Sequence, residues 1–226
     1  MSARERILGR LRHQDAAGAA SLPEPDVAAW YAGHQRNEDM PARAARLRAA
    51  MLASHAEVHD VTPSNWVTVL ERIAAEKKLG NLLIGDGTAH GKALSENAGA
   101  AVHLLKYEQR YESLRDQLFN DIDAGFTKAR SAIAETGTLI LWPDAQEPRT
   151  MSLVPPVHIV LLDAAAIHAD FHSAMIAENW RDGMPANALL ISGPSKTADI
   201  QQTLAYGAHG PRELIVLLCQ PESAIA

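Results

Sequence analysis

Ala188-Leu-Leu-Ile191, then Ser192-Gly-Pro194, then Ser195-Lys-Thr-Ala-Asp-Ile200 running on to Tyr206, and after Gly207-Ala-His-Gly210 the run Leu214-Ile-Val-Leu-Leu-Cys219, make up the stretch on which the fold turns. Two short apolar runs flank a segment rich in helix formers, with Gly-Pro punctuation at its entry and glycine at its exit. The pattern predicts strand 188–191, helix 195–206 and strand 214–219. Such a βαβ unit joins parallel strands through a right-handed crossover, so this reading commits the chain to an α/β sheet.

Working outward, Val157–Leu162 is an apolar strand entered through Pro155-Pro156, and a helix is expected from about 165 to 180. Ser131–Glu135 and Thr138–Trp142 flank Thr136-Gly137, which predicts a tight turn or bulge and at least one antiparallel pair. Upstream, a strand is expected at 56–61. Ser64 would cap the following helix, with Trp66, Val67, Leu70 and Ile73 facing inward and Gly80 closing it. Asn81–Ile84 reads as a buried strand, followed by Gly85, Gly87 and Gly91, an apolar run at 101–105 and a helix over 111–119. The first fifty residues show no strand pattern. Ile7, Leu8 and Leu11 recur at helical spacing, Pro23 and Pro25 mark a loop, and Pro41–Ser54 reads as a helix with Leu47, Met51 and Leu52 as its stripe. The expectation is a helical arm over 1–54 and a three-layer α/β domain, mostly parallel, over 55–226.

Bulk composition agrees. The 226 residues are 47% hydrophobic and 21% charged, ordinary for a globular chain, and with only 5% aromatics the core must rest on aliphatic side chains. Twenty-one basic against 27 acidic residues give a net charge of −6, without the basic face of a nucleic-acid binder. Arg4, Arg6, Arg10 and Arg12, and likewise Arg43, Arg46 and Arg48, read as solvated faces of amphipathic helices. The single cysteine, Cys219, excludes disulfides and any thiolate-held zinc or iron–sulfur cluster built from this chain alone. No apolar signal core and no run of membrane-spanning length is present, so a cytoplasmic location is expected.

Three segments carry candidate chemistry. Ser192-Gly-Pro-Ser-Lys-Thr197 follows a strand and opens the expected helix. Free backbone N–H groups there, with a hydroxyl from Ser195 or Thr197 and the Lys196 charge, would make an anion site. An ordinary capped helix start, with Asp199 near the dipole, explains the same residues equally well. Glu135-Thr-Gly-Thr138 places a carboxylate beside backbone donors, as a general base or nucleophile would need, or is simply a polar turn. His209 and Arg212 lie at the far end of the expected helix from Ser195, which favours a structural or interface role for them. The pairs His55/His59 and His168/His172 sit four apart but give only two ligands each, and no GxSxG elbow, HExxH, P-loop or dinucleotide fingerprint occurs.

Taken together, Ala132-Ile-Ala-Glu-Thr-Gly-Thr-Leu139, Ser152-Leu-Val-Pro-Pro-Val-His-Ile159, Ser192-Gly-Pro-Ser-Lys-Thr-Ala-Asp-Ile200 and Gly207-Ala-His-Gly-Pro-Arg-Glu-Leu214 closely resemble the lactate-utilisation protein C family, the LUD domain. The helix beginning Arg4-Glu-Arg-Ile-Leu-Gly9 is similar to it as well. The resemblance implies a fold like that of CoA-transferases and ribose-5-phosphate isomerase, with a pocket formed by Glu135 to Thr138, Ser192 to Thr197 and His158. It implies a place in bacterial L-lactate oxidation to pyruvate beside two iron–sulfur proteins, with no cofactor in this chain. Two readings stay open: an accessory or non-redox subunit, and a stand-alone enzyme acting on a small anionic metabolite or thioester with Glu135 as nucleophile or base. A scaffold that docks through its N-terminal arm is a third, and the abundance of Ala together with the separate helical arm is compatible with self-association.

Overall fold

A computed structural model describes residues 2–16, 23–99, 102–107, 111–198 and 204–224. The chain divides into two compact units, 1–35 and 36–226. In the first, α1 (Ala3–Ala16) opens with a reciprocal cap in which Ser2 N–H donates to Glu5 and Glu5 N–H to the Ser2 hydroxyl. Helix α2 (Val27–His34), absent from the sequence reading, is capped by Asp26, which accepts from Ala29 N–H at 2.9 Å.

The second unit is built on six parallel strands: β1 (Glu57–Val61), β2 (Asn81–Ile84), β3 (His103–Lys106), β4 (Ala124–Lys128), β7 (Val157–Asp163) and β12 (Glu213–Cys219), in the order β1-β12-β7-β4-β2-β3. A parallel sheet is covered on both faces, so its strands read as continuous apolar runs. Val157, Ile159 and Leu161 of β7 and Ile215 and Leu217 of β12 meet α4 (Trp66–Glu76) and α5 (Ala89–Asn97) on one face. Val160, Leu162, Leu214, Val216 and Leu218 face the other way. There they meet α3 (Met40–Ala53) and a second, four-stranded sheet of β5 (Ser131–Ile133), β6 (Thr138–Leu141), β8 (Ile167–His168) and β9 (Leu189–Ile191), ordered β8-β5-β6-β9. Ile133 and Ile140 on the outer face of that sheet are covered by Trp180 and by α8 (Phe171–Ala177). Helices α6 (Tyr111–Asn120) and α7 (Arg149–Leu153) complete the layer beside β2, where Leu114, Leu118 and Met151 pack on Leu83.

The α/β class and the mostly parallel central sheet agree with the sequence reading, as does the antiparallel β5–β6 pair across Thr136-Gly137. Several elements differ. Strand β9 pairs with β6 in the second sheet and not with β12, so 188–219 is not a βαβ unit. The helix expected over 195–206 is instead a ribbon of β10 (Lys196–Ala198) and β11 (Leu204–Tyr206), antiparallel, with Lys196 opposite Tyr206; Asp199 and the rest of 199–203 lie outside the described residues. The helix expected from 165 is cut back to α8, because Asp170 caps it at Ser173 N–H, 2.7 Å away, while Asp163 caps a separate 3-10 turn at 164–166. His168 consequently sits on β8, bonded to Glu178, and not on an exposed helix. Asn65, not Ser64, holds the N-cap position of α4, and Ser64 N–H donates to Glu222. Strand β4, α5 and α7 were not legible in the sequence.

Helix α3 belongs to the second unit. Leu47 and Met51 are fully buried against the sheets, and its arginines are ties more than a solvated face: Arg46 pairs with Glu38 at 2.6 Å and donates to Ala169 O, and Arg48 pairs with Asp60 and donates to Val58 O.

Candidate functional site

His158 is the one ionisable residue of the long buried run in β7, and it is 1% exposed. In the sheet register it lies between Gly125 of β4 and Leu214 of β12. A Cβ at Gly125 would run into the carbonyl oxygen of Met151, so glycine is what lets α7 settle on the sheet and bring Ser152 over the imidazole. His158 Nε2 and the buried Thr127 hydroxyl share a hydrogen bond of 2.9 Å, while Nδ1 has no partner. Burial pushes the imidazole down from its ordinary value near 6.5 to about 3, so the ring is neutral at physiological pH.

A cavity of about 120 Å³ opens over this ring. Its floor is His158 and Leu214, and α7 gives Ser152 and Leu153. The remaining wall comes from Ile191 and Gly193-Pro194-Ser195 on one side and His209-Gly210-Pro211 on the other. The ribbon makes this convergence. Ser195 N–H donates to Pro211 O at 2.8 Å and Gly207 N–H to Ser195 O at 2.9 Å, so the two motifs that a helix would have separated lie side by side. Gly207 takes a φ of 81°, which suits its turn. The separation expected between Ser195 and His209 therefore does not hold: both line one cavity.

The other motif residues are held next to it. Thr138, buried, shares a hydrogen bond with Ser192 at 2.7 Å and another with Thr136 at 2.6 Å. Gly137, at φ 64°, packs its turn on Ala50 and Met51 of α3, and Gly193 packs on the carbonyl of Ser54 at the end of the same helix. Lys196 and Thr197 lie on β10, and Arg212 is exposed beside Glu213. None of these three lines the cavity. Glu135 is exposed at the turn, its N–H donating to Ala169 O, and it does not line the cavity either. Because 196–198 is strand, the helix N-terminus that supported the anion reading is not there. Among the described residues no group of three or more His, Cys, Asp or Glu converges as a metal site would require.

The sequence pattern of the LUD domain matches residues 44–219. This chain belongs to the LUD-domain family. An uncharacterized protein of Neisseria meningitidis serogroup B is 43% identical over 227 residues, covering 98% of this chain and 95% of that protein. Lactate utilization protein C of Macrococcus caseolyticus is 32% identical over 99 residues, 42% of this chain and 43% of that one. Lactate utilization protein C 1 of Bacillus mycoides is 26% identical over 164 residues, 70% of each. The crystal structure of a DUF162 family protein from Deinococcus radiodurans superposes with a TM-score of 0.60 at 20% identity, over 81% of this chain and 99% of that chain, which shows a shared fold.

Within this LUD domain three of the four motifs line one cavity, and the fourth lies beside it through the Thr138–Ser192 hydrogen bond. Ser152, Leu153, Gly210 and Pro211 belong to those motifs, yet sequence reasoning did not single them out, since neither Leu nor Pro announces chemistry. Gly125 and Thr127 sit in a strand the sequence reading missed. The arrangement offers a neutral imidazole with one free nitrogen, two serine hydroxyls, a second histidine and apolar walls. Such a pocket can hydrogen-bond and orient the polar end of a small ligand while burying a short alkyl group.

Proposed function

We propose that this chain serves lactate utilisation as a non-redox subunit beside iron–sulfur partner proteins, and that its cavity holds a small carboxylic acid of the lactate or pyruvate class. The observation that carries the reading is buried His158, whose Nδ1 has no partner in the protein and whose residue lines a cavity that three of the four motifs, all but the one holding Glu135-Thr-Gly-Thr138, help to form. A buried polar atom without a partner costs about 1–3 kcal/mol, and a ligand hydroxyl or carbonyl at that point would recover it. A methyl group would lie against Leu153, Ile191 and Leu214, and the carboxylate would stay at the mouth near Ser195 and His209, with Lys196 and Arg212 following lining residues in the chain.

The names of the Macrococcus and Bacillus relatives support the pathway. An iron–sulfur cluster does not fit this chain's own residues. It has one thiol, Cys219, which burial pushes above the ordinary thiol value, the opposite of what a thiolate ligand needs. In this reading the electrons from lactate go to clusters in the partners. A cytoplasmic site of action is part of the same proposal, and no helix among the described residues is long and apolar enough to cross a membrane.

The deciding experiment is anaerobic, lactate-dependent dye reduction by the two iron–sulfur partners with and without this chain. Full activity with the chain and a loss of at least about tenfold with His158→Leu are expected; equal activity of the partners alone would end the subunit reading. Glu135→Gln should leave the rate unchanged.

A further inference from the structure

Beyond the Thr127–His158 hydrogen bond lies a second and much smaller space of about 10 Å³. That is about the room one water molecule needs. Thr127, Ser152, Trp142 and Glu147 are among its lining residues, and the buried indole Nε1–H of Trp142 has no partner in the protein. A space of one-water size with a free donor, two hydroxyls and a carboxylate around it fits an ordered water with several hydrogen bonds.

Glu147 has a second role. It sits at the carboxyl end of β4, where Lys128 N–H donates to it at 3.3 Å, and its other oxygen pairs closely with His90 Nε2. His90 stands on α5, on the opposite face of the sheet from His158, edge-on to Phe126. Thr127, bonded to one histidine, and Glu147, bonded to the other, thus border the same small space at the end of β4.

We propose that His158 and the His90–Glu147 pair are the two ends of a proton path that turns round the carboxyl end of β4 through Thr127 and one ordered water. The chemistry explains why a path is needed. His158 is too deeply buried to hold a charge, so it accepts a proton at Nδ1 only by releasing one from Nε2 in the same event. A ligand hydroxyl gives its proton to Nδ1 and keeps the bonding pair as an alkoxide, the Nε2 proton passes to the Thr127 oxygen, and the ring is left as its other tautomer. The Thr127 hydrogen moves to the water, and a water hydrogen moves to the Glu147–His90 pair, which returns it to solvent. No electrons move, and Thr127 and the water each end with the hydrogens they began with. The path rests on the cavity reading only in naming the ligand as proton donor.

The test uses the full chain without ligand, labelled with ¹⁵N-histidine, and reads by NMR how fast the His158 ring N–H exchanges with solvent. Thr127→Val and Glu147→Gln should each slow exchange by about tenfold or more, Trp142→Phe should slow it by several-fold, and Thr127→Ser should keep the natural rate. Exchange that is equal in the natural protein, Glu147→Gln and Trp142→Phe overturns the path. Those two changes leave the His158–Thr127 bond alone, so the comparison decides the matter even if Thr127→Val does not fold. Lactate or pyruvate that fails to move the His158 resonances would instead defeat the ligand reading and leave the exchange result untouched.

Discussion

His158 ties the site to the stability of the domain. Its imidazole is held at about 3 in the folded chain and returns to about 6.5 on unfolding, so the unfolded state binds more protons through that window. The sign follows: stability conferred by the neutral ring is complete above 6.5 and is lost as pH falls towards 3. Each unit of pH inside the window removes about 1.4 kcal/mol. Urea unfolding at pH values near 7 and 5 should therefore show a drop of about 2 kcal/mol from this residue alone. His158→Gln should abolish that drop, and the same drop in the variant would mean the ring is solvated. Gly137 gives a second test. At φ 64° a side chain is strained, and a Cβ would stand 2.7 Å from Ala50 Cβ and 2.9 Å from Met51 N. Gly137→Ala should cost about 2–3 kcal/mol, read as a lowered denaturation midpoint at unchanged slope. The sequence marked both positions, Gly137 from its turn and His158 from its motif. It could not show that Nδ1 would be free, since that depends on how α7 settles over Gly125, a residue of a different strand.

At the scale of elements, the ribbon of 196–198 and 204–206 shows where local reading fails. Lys196-Thr-Ala and Leu204-Ala-Tyr are too short for alternation to be seen, and Ala, Gln and Leu favour helix. What decides the outcome is non-local: Pro211 O takes the Ser195 N–H, and the ribbon lies by the end of α3, where Tyr206 packs edge-on to His55. Gly193 is the point of closest approach, since a Cβ there would sit 2.7 Å from Ser54 O. Gly193→Ala should shift the ribbon, cost about 1–3 kcal/mol and weaken ligand binding at the cavity, measured by denaturation and by titration with lactate; unchanged values in both would place the ribbon's anchor elsewhere. Strand β4 was illegible for a related reason. Ala124-Gly-Phe-Thr-Lys has one large apolar side chain and a glycine that ordinarily weakens a strand, yet it is the third strand from the β3 edge. Its burial comes from its neighbours, not from its own pattern.

For the whole molecule, the strands with long apolar runs, β7 and β12, were plain because a doubly covered strand needs no alternation. The second sheet was not, because β8 has only two residues and β9, although read as a strand, pairs with β6 and not with β12. The same non-local logic fixes where the chain can be cut. Sequence reading drew the boundary after residue 54, since nothing before it looks like a strand. The compact unit begins at Arg36, because α3 supplies Leu47 and Met51 to the core between the sheets and also backs both glycine contacts of the site. Removing residues 1–35 deletes none of that core, so the fragment 36–226 should unfold cooperatively with a midpoint within a few degrees of the full chain. Removing 1–54 strips two fully buried side chains, each worth about 2–5 kcal/mol, from a domain whose net stability is of order 5–15 kcal/mol. It also exposes the inner faces of both sheets. The fragment 55–226 should accordingly be insoluble or lack a cooperative transition by circular dichroism. A well-folded 55–226 that still binds the same small acid would show that α3 is an appendage and that the cavity is formed by the sheets alone.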